Sequence, residues 1–211
     1  MMDITPLKTA EDNLHSSFDR LKKILNGTVT ALATASEVRD PYTAGHQQKV
    51  AQLSAEIARK MGLNEDRIES VRIAGQLHDL GKIAIPAEIL NKPGTLSRYE
   101  FDIIKTHPQA GYQILKTIEF PWPIAQMIFQ HHERLNGTGY PFGIPGQNIL
   151  LEAKILAVAD VVEAMLSHRP YRIAPGLTKA LEEIKSKSGH LYDPDVVAAC
   201  LQIFAEGFAF E

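Results

Sequence analysis

The chain has 211 residues, 45% of them hydrophobic and 22% charged, with a net charge of −3 when histidine is neutral; that is enough for one domain with a sizeable core. The charge balance excludes a broad basic surface for a nucleic acid polymer, though not a small basic pocket for a phosphate ligand. Cys200 is the only cysteine, which excludes an intrachain disulfide, and no apolar run approaches the roughly 20 residues that cross a bilayer.

The N-terminal stretch MMDITPLKTAEDNL is polar and carries no apolar signal region. A cytoplasmic protein, or the cytoplasmic piece of a larger one, is expected. Leu14, Phe18, Leu21, Leu25 and Leu32 then fall on a heptad-like stripe in which Thr28 fills the remaining slot. A long first helix is predicted, suited to pairing with a second copy. The next helix carries His46, Val50, Leu53, Ile57 and Met61 on one stripe and ends at Gly62. A third is predicted from about Glu65 to Leu80, stopped by Gly81. Ser97 and Glu100 form a capping box that opens a helix bearing Phe101, Ile104 and His107, which Pro108 kinks or ends. The stretch PWPIAQMIFQHH starts another helix, with Pro123 in its first turn. LLEAKILAVADVVEAML is apolar nearly all round and reads as a central helix. Asp193 and Pro194 open the last one, as N-cap and first helical residue. The connections near 86–96 and 133–149 are rich in Gly and Pro and read as loops. The predicted fold is all-α, a helical bundle with functional loops.

Five of the eight histidines share a pattern: His46, His78, His107, His131 and His132 each lie on, or at the end of, an apolar helical stripe. Asp79 follows His78, and Asp160 interrupts the most hydrophobic helix. One histidine on such a stripe is ordinarily a satisfied core residue. Five, with two aspartates, are hard to satisfy by packing alone. Mixed imidazole and carboxylate donors suit Fe, Mn, Zn or Ni, and seven donors suit two ions bridged by a carboxylate. Lys82, just beyond the Gly81 turn, reaches the same pocket or is a solvated lysine at a helix C-terminus. Arg169 and Arg172 in HRPYR suit phosphate oxygens or are plain surface cations. Tyr140 in GTGYP is open to a turn reading.

Together these residues resemble the HD superfamily of metal-dependent phosphohydrolases, and within it the HD-GYP branch. The resemblance rests on RDPYTAGHQQKVAQLSAEIARKMGL, AGQLHDLGKIAIP, ILNKPGTL, THPQAGYQIL, HHERLNGTGYP, AKILAVADVVEAML and HRPYR, in family order from about Val29 to Val197. It implies an all-α phosphodiesterase that opens cyclic di-GMP to linear pGpG, with GMP after a second cut. By position it implies one metal on His46, His78, Asp79 and Asp160 and a second on His107, His131 and His132, with Asp79 bridging. The cofactors are then two divalent ions, iron or manganese, with nickel, zinc or magnesium as alternatives. Asp79 and Lys82 would be catalytic; Lys82, Arg169, Arg172 and Tyr140 would meet substrate. Some members carry a third-ion Glu where this chain has Tyr42. Asn136, His168 and Glu163 depart from the common pattern, and none is expected to touch metal. The Gly139–Tyr140–Pro141 loop implies GGDEF-domain proteins as partners.

DITPLKTAEDNL resembles the end of a PAS sensor domain and its exit helix. Residues 1–28 are therefore expected to be a signalling linker and 29–211 the catalytic domain, with a homodimer through the first helix. Two alternatives stay open: an HD enzyme acting on cyclic GMP-AMP, a mononucleotide or an alarmone, and a module that binds cyclic di-GMP or a GGDEF domain without turnover.

Overall fold

The computed structural model describes residues 5–39, 45–167 and 174–210. Ten α-helices are found there: α1 (Thr5–Arg39), α2 (His46–Lys60), α3 (Glu65–Leu77), α4 (Ala87–Leu90), α5 (Arg98–Ile104), α6 (His107–Leu115), α7 (Ile124–Gln130), α8 (Leu151–Leu166), α9 (Leu177–Ser186) and α10 (Pro194–Ala205). Two 3₁₀ turns, Leu80–Ala84 and Gly146–Asn148, join them. No strand occurs among the described residues, so the all-α expectation holds. No helix among the described residues is long and apolar enough to cross a membrane.

The core forms where the stripes meet. Val50, Leu53 and Ile57 of α2, Val71, Ile73 and Leu77 of α3, and Ile155, Leu156, Val158 and Val162 of α8 are all fully buried. Each such side chain contributes roughly 1.5–3 kcal/mol relative to exposure. α2, α3 and α8 pack against one another, and α10 packs on both α2 and α8. The caps read from sequence are present. The Ser97 hydroxyl accepts from Glu100 N–H while the Glu100 carboxylate accepts from Ser97 N–H. The Asp193 carboxylate accepts from the N–H groups of Asp195 and Val196.

Two expectations are corrected, and one helix went unread. The third helix ends at Leu77, not Leu80; the chain tightens into the 3₁₀ turn, and Asp79 leaves helical geometry with φ −95° and ψ 5°. Gly81 sits in that turn against His107 O and the backbone of Gly111, with no room for a Cβ. This close approach lets α6 dock beside the His78–Asp79 corner. Pro108 neither kinks nor ends the α5 helix. It opens α6, where its missing N–H costs nothing. α9, unread in the sequence, has only Ala180 and Ile184 buried.

α1 runs unbroken through residue 28, so the expected linker and the domain share one helix. Its two ends differ. Leu14, Phe18 and Leu21 are 72%, 62% and 66% exposed, whereas Val29 and Ser36 are buried and Leu25 and Leu32 pack against the core.

Candidate metal centre

All seven residues expected as ligands converge on one cleft. α2 begins with His46, α3 delivers His78 and Asp79 just past its C-terminal end, α6 begins with His107, His131 and His132 directly follow α7, and α8 carries Asp160 at mid-length. Each lies at a helix terminus or on an inward stripe, which fixes its direction. The donors fall into two groups, His46, His78 and Asp79, and His107, His131 and His132; within each group the ligand atoms lie within 4.8 Å of one another.

Two carboxylates tie the groups together. Asp79 Oδ2 is 3.9 Å from His46 Nε2 and 3.5 Å from His78 Nε2, while its Oδ1 is 3.5 Å from His107 Nε2. Asp160 Oδ1 lies 3.3 Å from His46 Nε2 and 3.9 Å from His78 Nε2, and its Oδ2 is 3.9 Å from His132 Nδ1. Asp160 was assigned to the first group alone; its two oxygens face both.

The imidazoles are oriented by one repeated device. His78, His107 and His131 each place Nδ1 against the carbonyl three residues earlier, Gly75, Ile104 and Ile128, at 2.7, 2.8 and 2.6 Å. A carbonyl only accepts, so Nδ1 carries the proton and the Nε2 lone pair points into the cleft. Those three Nε2 atoms are buried and have no hydrogen-bond partner. A buried polar atom left unsatisfied costs about 1–3 kcal/mol, and three such atoms, one in the first group and two in the second, fit metal cations. The residues present therefore suit the ions expected from sequence, in donor type and arrangement.

Electrostatics differ across the cleft. Burial pushes His107 down to about 4 and His131 down to about 3, and it holds His132 well below its usual range. Burial also lowers His46, but hydrogen bonds to Asp160 and Glu163 outweigh it and raise this imidazole to about 9. Burial alone would raise Asp79; Lys82 and the surrounding histidines hold it well below the usual carboxylate range. Lys82 Nζ sits 2.7 Å from Asp79 Oδ2, so the reach expected of Lys82 is realised.

Sequence reasoning missed two carboxylates. Glu163 was set aside as a departure from pattern. It is buried, its Oε2 meets His46 Nδ1, and its Oε1 accepts from Ser167 Oγ at 2.6 Å. Its spacing of three from Asp160 on one helix was the available signal. Glu133, directly after the twin histidines, is 2% exposed and accepts from the N–H groups of Phe142 and Ile144. It pins the Gly139–Tyr140–Pro141 loop. Tyr140 N–H donates to His132 O, and the two rings lie 4.5 Å apart, so Tyr140 is more than a turn residue.

The cleft has a volume of about 740 Å³, within the usual range for a small-molecule site. His46, Asp79, Lys82, His132, Tyr140 and Asp160 line its floor, and Lys92, Leu96, Arg98 and Phe101 its outer wall. Arg169, Arg172, His168 and Tyr42 lie outside the described residues.

The sequence matches the HD domain family over residues 31–196. A protein of Thermotoga maritima named cyclic di-GMP phosphodiesterase is 41% identical over 94% of this chain and 54% of its own length. A protein of Vibrio cholerae named 3′3′-cGAMP-specific phosphodiesterase 3 is 38% identical over 81% of this chain and 37% of its own. Among solved structures, a cyclic GMP-AMP specific phosphodiesterase of V. cholerae superposes with a TM-score of 0.65, at 21% identity over 85% of this chain and 48% of that one. The chain thus spans about half or less of the length of these relatives. With its seven inward donors and a family match over most of its length, the chain belongs to the HD domain family.

Proposed function

We propose that the chain is an HD-GYP phosphodiesterase that uses two divalent ions to hydrolyse cyclic di-GMP. The observation that carries this reading is the pair of carboxylates facing both histidine groups, Asp79 through Oδ2 and Oδ1 and Asp160 through Oδ1 and Oδ2. His46, His78, Asp79 and Asp160 would hold one ion and His107, His131 and His132 the other, with Asp79 between them. Ions so held supply positive charge for the phosphoryl oxygens and lower the pKa of a water towards neutrality. The chain's own residues do the rest. Asp79 and Asp160 fix the spacing of the two halves. Lys82, beside Asp79 on the cleft floor, donates to a non-bridging oxygen or protonates the departing ribose 3′ oxygen. The ring of Tyr140 lies against that of His132 and lines the cleft, where it would meet substrate. Arg169 and Arg172 hold the phosphate that is not cut.

Cyclic GMP-AMP is the second substrate to weigh, because a relative at 38% identity carries that specificity in its name. Protein purified anaerobically and loaded with Mn or Fe, given each cyclic dinucleotide and a panel of mononucleotides, is expected to turn over cyclic di-GMP fastest, releasing pGpG and then GMP. Turnover of mononucleotides alone, or of nothing, would overturn the reading. The exposed Leu14, Phe18 and Leu21 support pairing of α1 with a second copy, and residues 1–28 would then relay a signal from an upstream PAS-like region. The Gly139–Tyr140–Pro141 loop is the proposed contact for GGDEF-domain proteins.

A further inference from the structure

The buried end of α1 holds the turn that presents Asp79 and Lys82. Ser36 is 1% exposed, and its hydroxyl donates to the carbonyl of Asp79 at 3.0 Å. The same carbonyl accepts from Lys82 N–H at 2.9 Å, the bond that closes the 3₁₀ turn. At the far end of that turn, Arg39 Nη2 donates to the carbonyl of Ile85 at 3.3 Å, while Ile85 N–H donates to Lys82 O at 2.9 Å. One helix therefore grips both ends of the segment between Asp79 and Ile85, by side chains one turn apart.

Neighbouring geometry makes this grip consequential. Asp79 has left α3 and is not yet within the 3₁₀ turn, so no regular helical ladder fixes its backbone. Its carboxylate must face His46 and His78 with one oxygen and His107 with the other. A rotation of this peptide by a few tens of degrees would swing both oxygens off their targets and carry Lys82 with them. The hydroxyl of Ser36 is the group outside the turn itself that anchors the Asp79 carbonyl among the hydrogen bonds described.

The geometry points to Ser36 as a positioning residue for the metal centre, acting on Asp79 and Lys82 through the Asp79 carbonyl. Arg39 is its weaker second point of attachment. It follows that a shift of α1 is felt at Asp79 before any other donor, because α1 also packs directly on the 3₁₀ turn. This inference rests on the reading of Asp79 as a metal ligand.

The test is Mn(II) binding to the metal-free full chain, followed by calorimetry, with thermal melting of the same samples. Ser36→Ala is expected to weaken Mn(II) binding by about 10-fold to 100-fold, the size usual for residues that orient a ligand, with a melting temperature close to that of the parent. Ser36→Thr keeps the hydroxyl and is expected to bind within about threefold of the parent. Arg39→Met, at an exposed position, serves as a second variant and is expected to bind more weakly by a smaller factor. Parent-like affinity in Ser36→Ala would overturn the inference; if that variant does not fold, parent-like affinity in Arg39→Met would overturn it instead. Asp79→Asn separates the two readings. If it loses Mn(II) while Ser36→Ala does not, Asp79 is a ligand and the positioning role is wrong. If it binds Mn(II) like the parent, the ligand reading fails and the positioning role falls with it.

Discussion

The half of the centre built on His46 is rich in carboxylate, whereas the half built on His107, His131 and His132 is imidazole on every side but its edge. His46 meets Asp160 and Glu163 and is raised to about 9, so at neutral pH it carries a proton. His107 and His131, dried by burial, stand at about 4 and 3 and are neutral at the same pH. The first half holds a proton in the place a cation would take. The second is already stripped to the lone pairs a cation needs. The shared carboxylates are what make two unlike pockets into one centre.

Removing the shared group should be the most damaging change. Asp79→Ala is expected to lose both ions and to lower turnover by a factor on the order of 10²–10³ or more, since it removes a fixed charge from the cleft as well as the proposed bridging ligand. Elemental analysis and single-turnover kinetics on one preparation check this; normal metal content would make Asp79 structural.

Glu163→Gln should sharpen the contrast by acting on one half. Its carboxylate meets His46 Nδ1, so the first ion should bind about 10-fold to 100-fold more weakly while the second is unchanged. Competitive titration with a metal indicator resolves the two affinities. Equal weakening of both would show that the halves are not separable.

The pH dependence follows from the same asymmetry. A raised folded pKa means that the charged His46 stabilises the metal-free protein fully below 6.5 and that this contribution is lost as pH rises through about 9. Cation uptake at that half must displace the proton, so its affinity should rise about tenfold per pH unit between 7 and 8. Uptake at the other half should release none, because His107 and His131 are neutral there. Calorimetry in buffers of different ionisation enthalpy counts the protons; release at both halves, or neither, would break the comparison.

Tyr140→Phe should have the smallest effect. Burial pushes the phenol above its ordinary range and keeps it protonated, so it donates rather than ligates. The two ions should stay, with KM raised about threefold to tenfold, the worth of one hydrogen bond. Loss of an ion would make the tyrosine a ligand.

Much of this was legible in the sequence, for a physical reason. Apolar stripes fix direction, so the sequence alone turns His46, His78, His107 and Asp160 inward, and the caps at Ser97 and Asp193 mark helix starts by local chemistry alone. What stayed hidden depended on distant partners. Glu163 becomes important only because His46, well over a hundred residues away in the chain, lies against it. Glu133 matters through a loop that returns on it. α9 went unread because its buried face is only Ala180 and Ile184. The exit of the chain from α3 at Leu77 was misjudged because the stripe continues through Leu80, and only the approach of α6 to Gly81 shows why the helix must stop.

The central claim is a two-ion centre bridged by Asp79, and the most direct measurement is the electron paramagnetic resonance spectrum of the Mn(II)-loaded chain with its metal content determined on the same sample. About two ions per chain are expected, with the spectrum of an exchange-coupled pair, which Asp79→Asn converts to isolated or absent Mn(II). Fully active protein with a single, uncoupled ion per chain would contradict it.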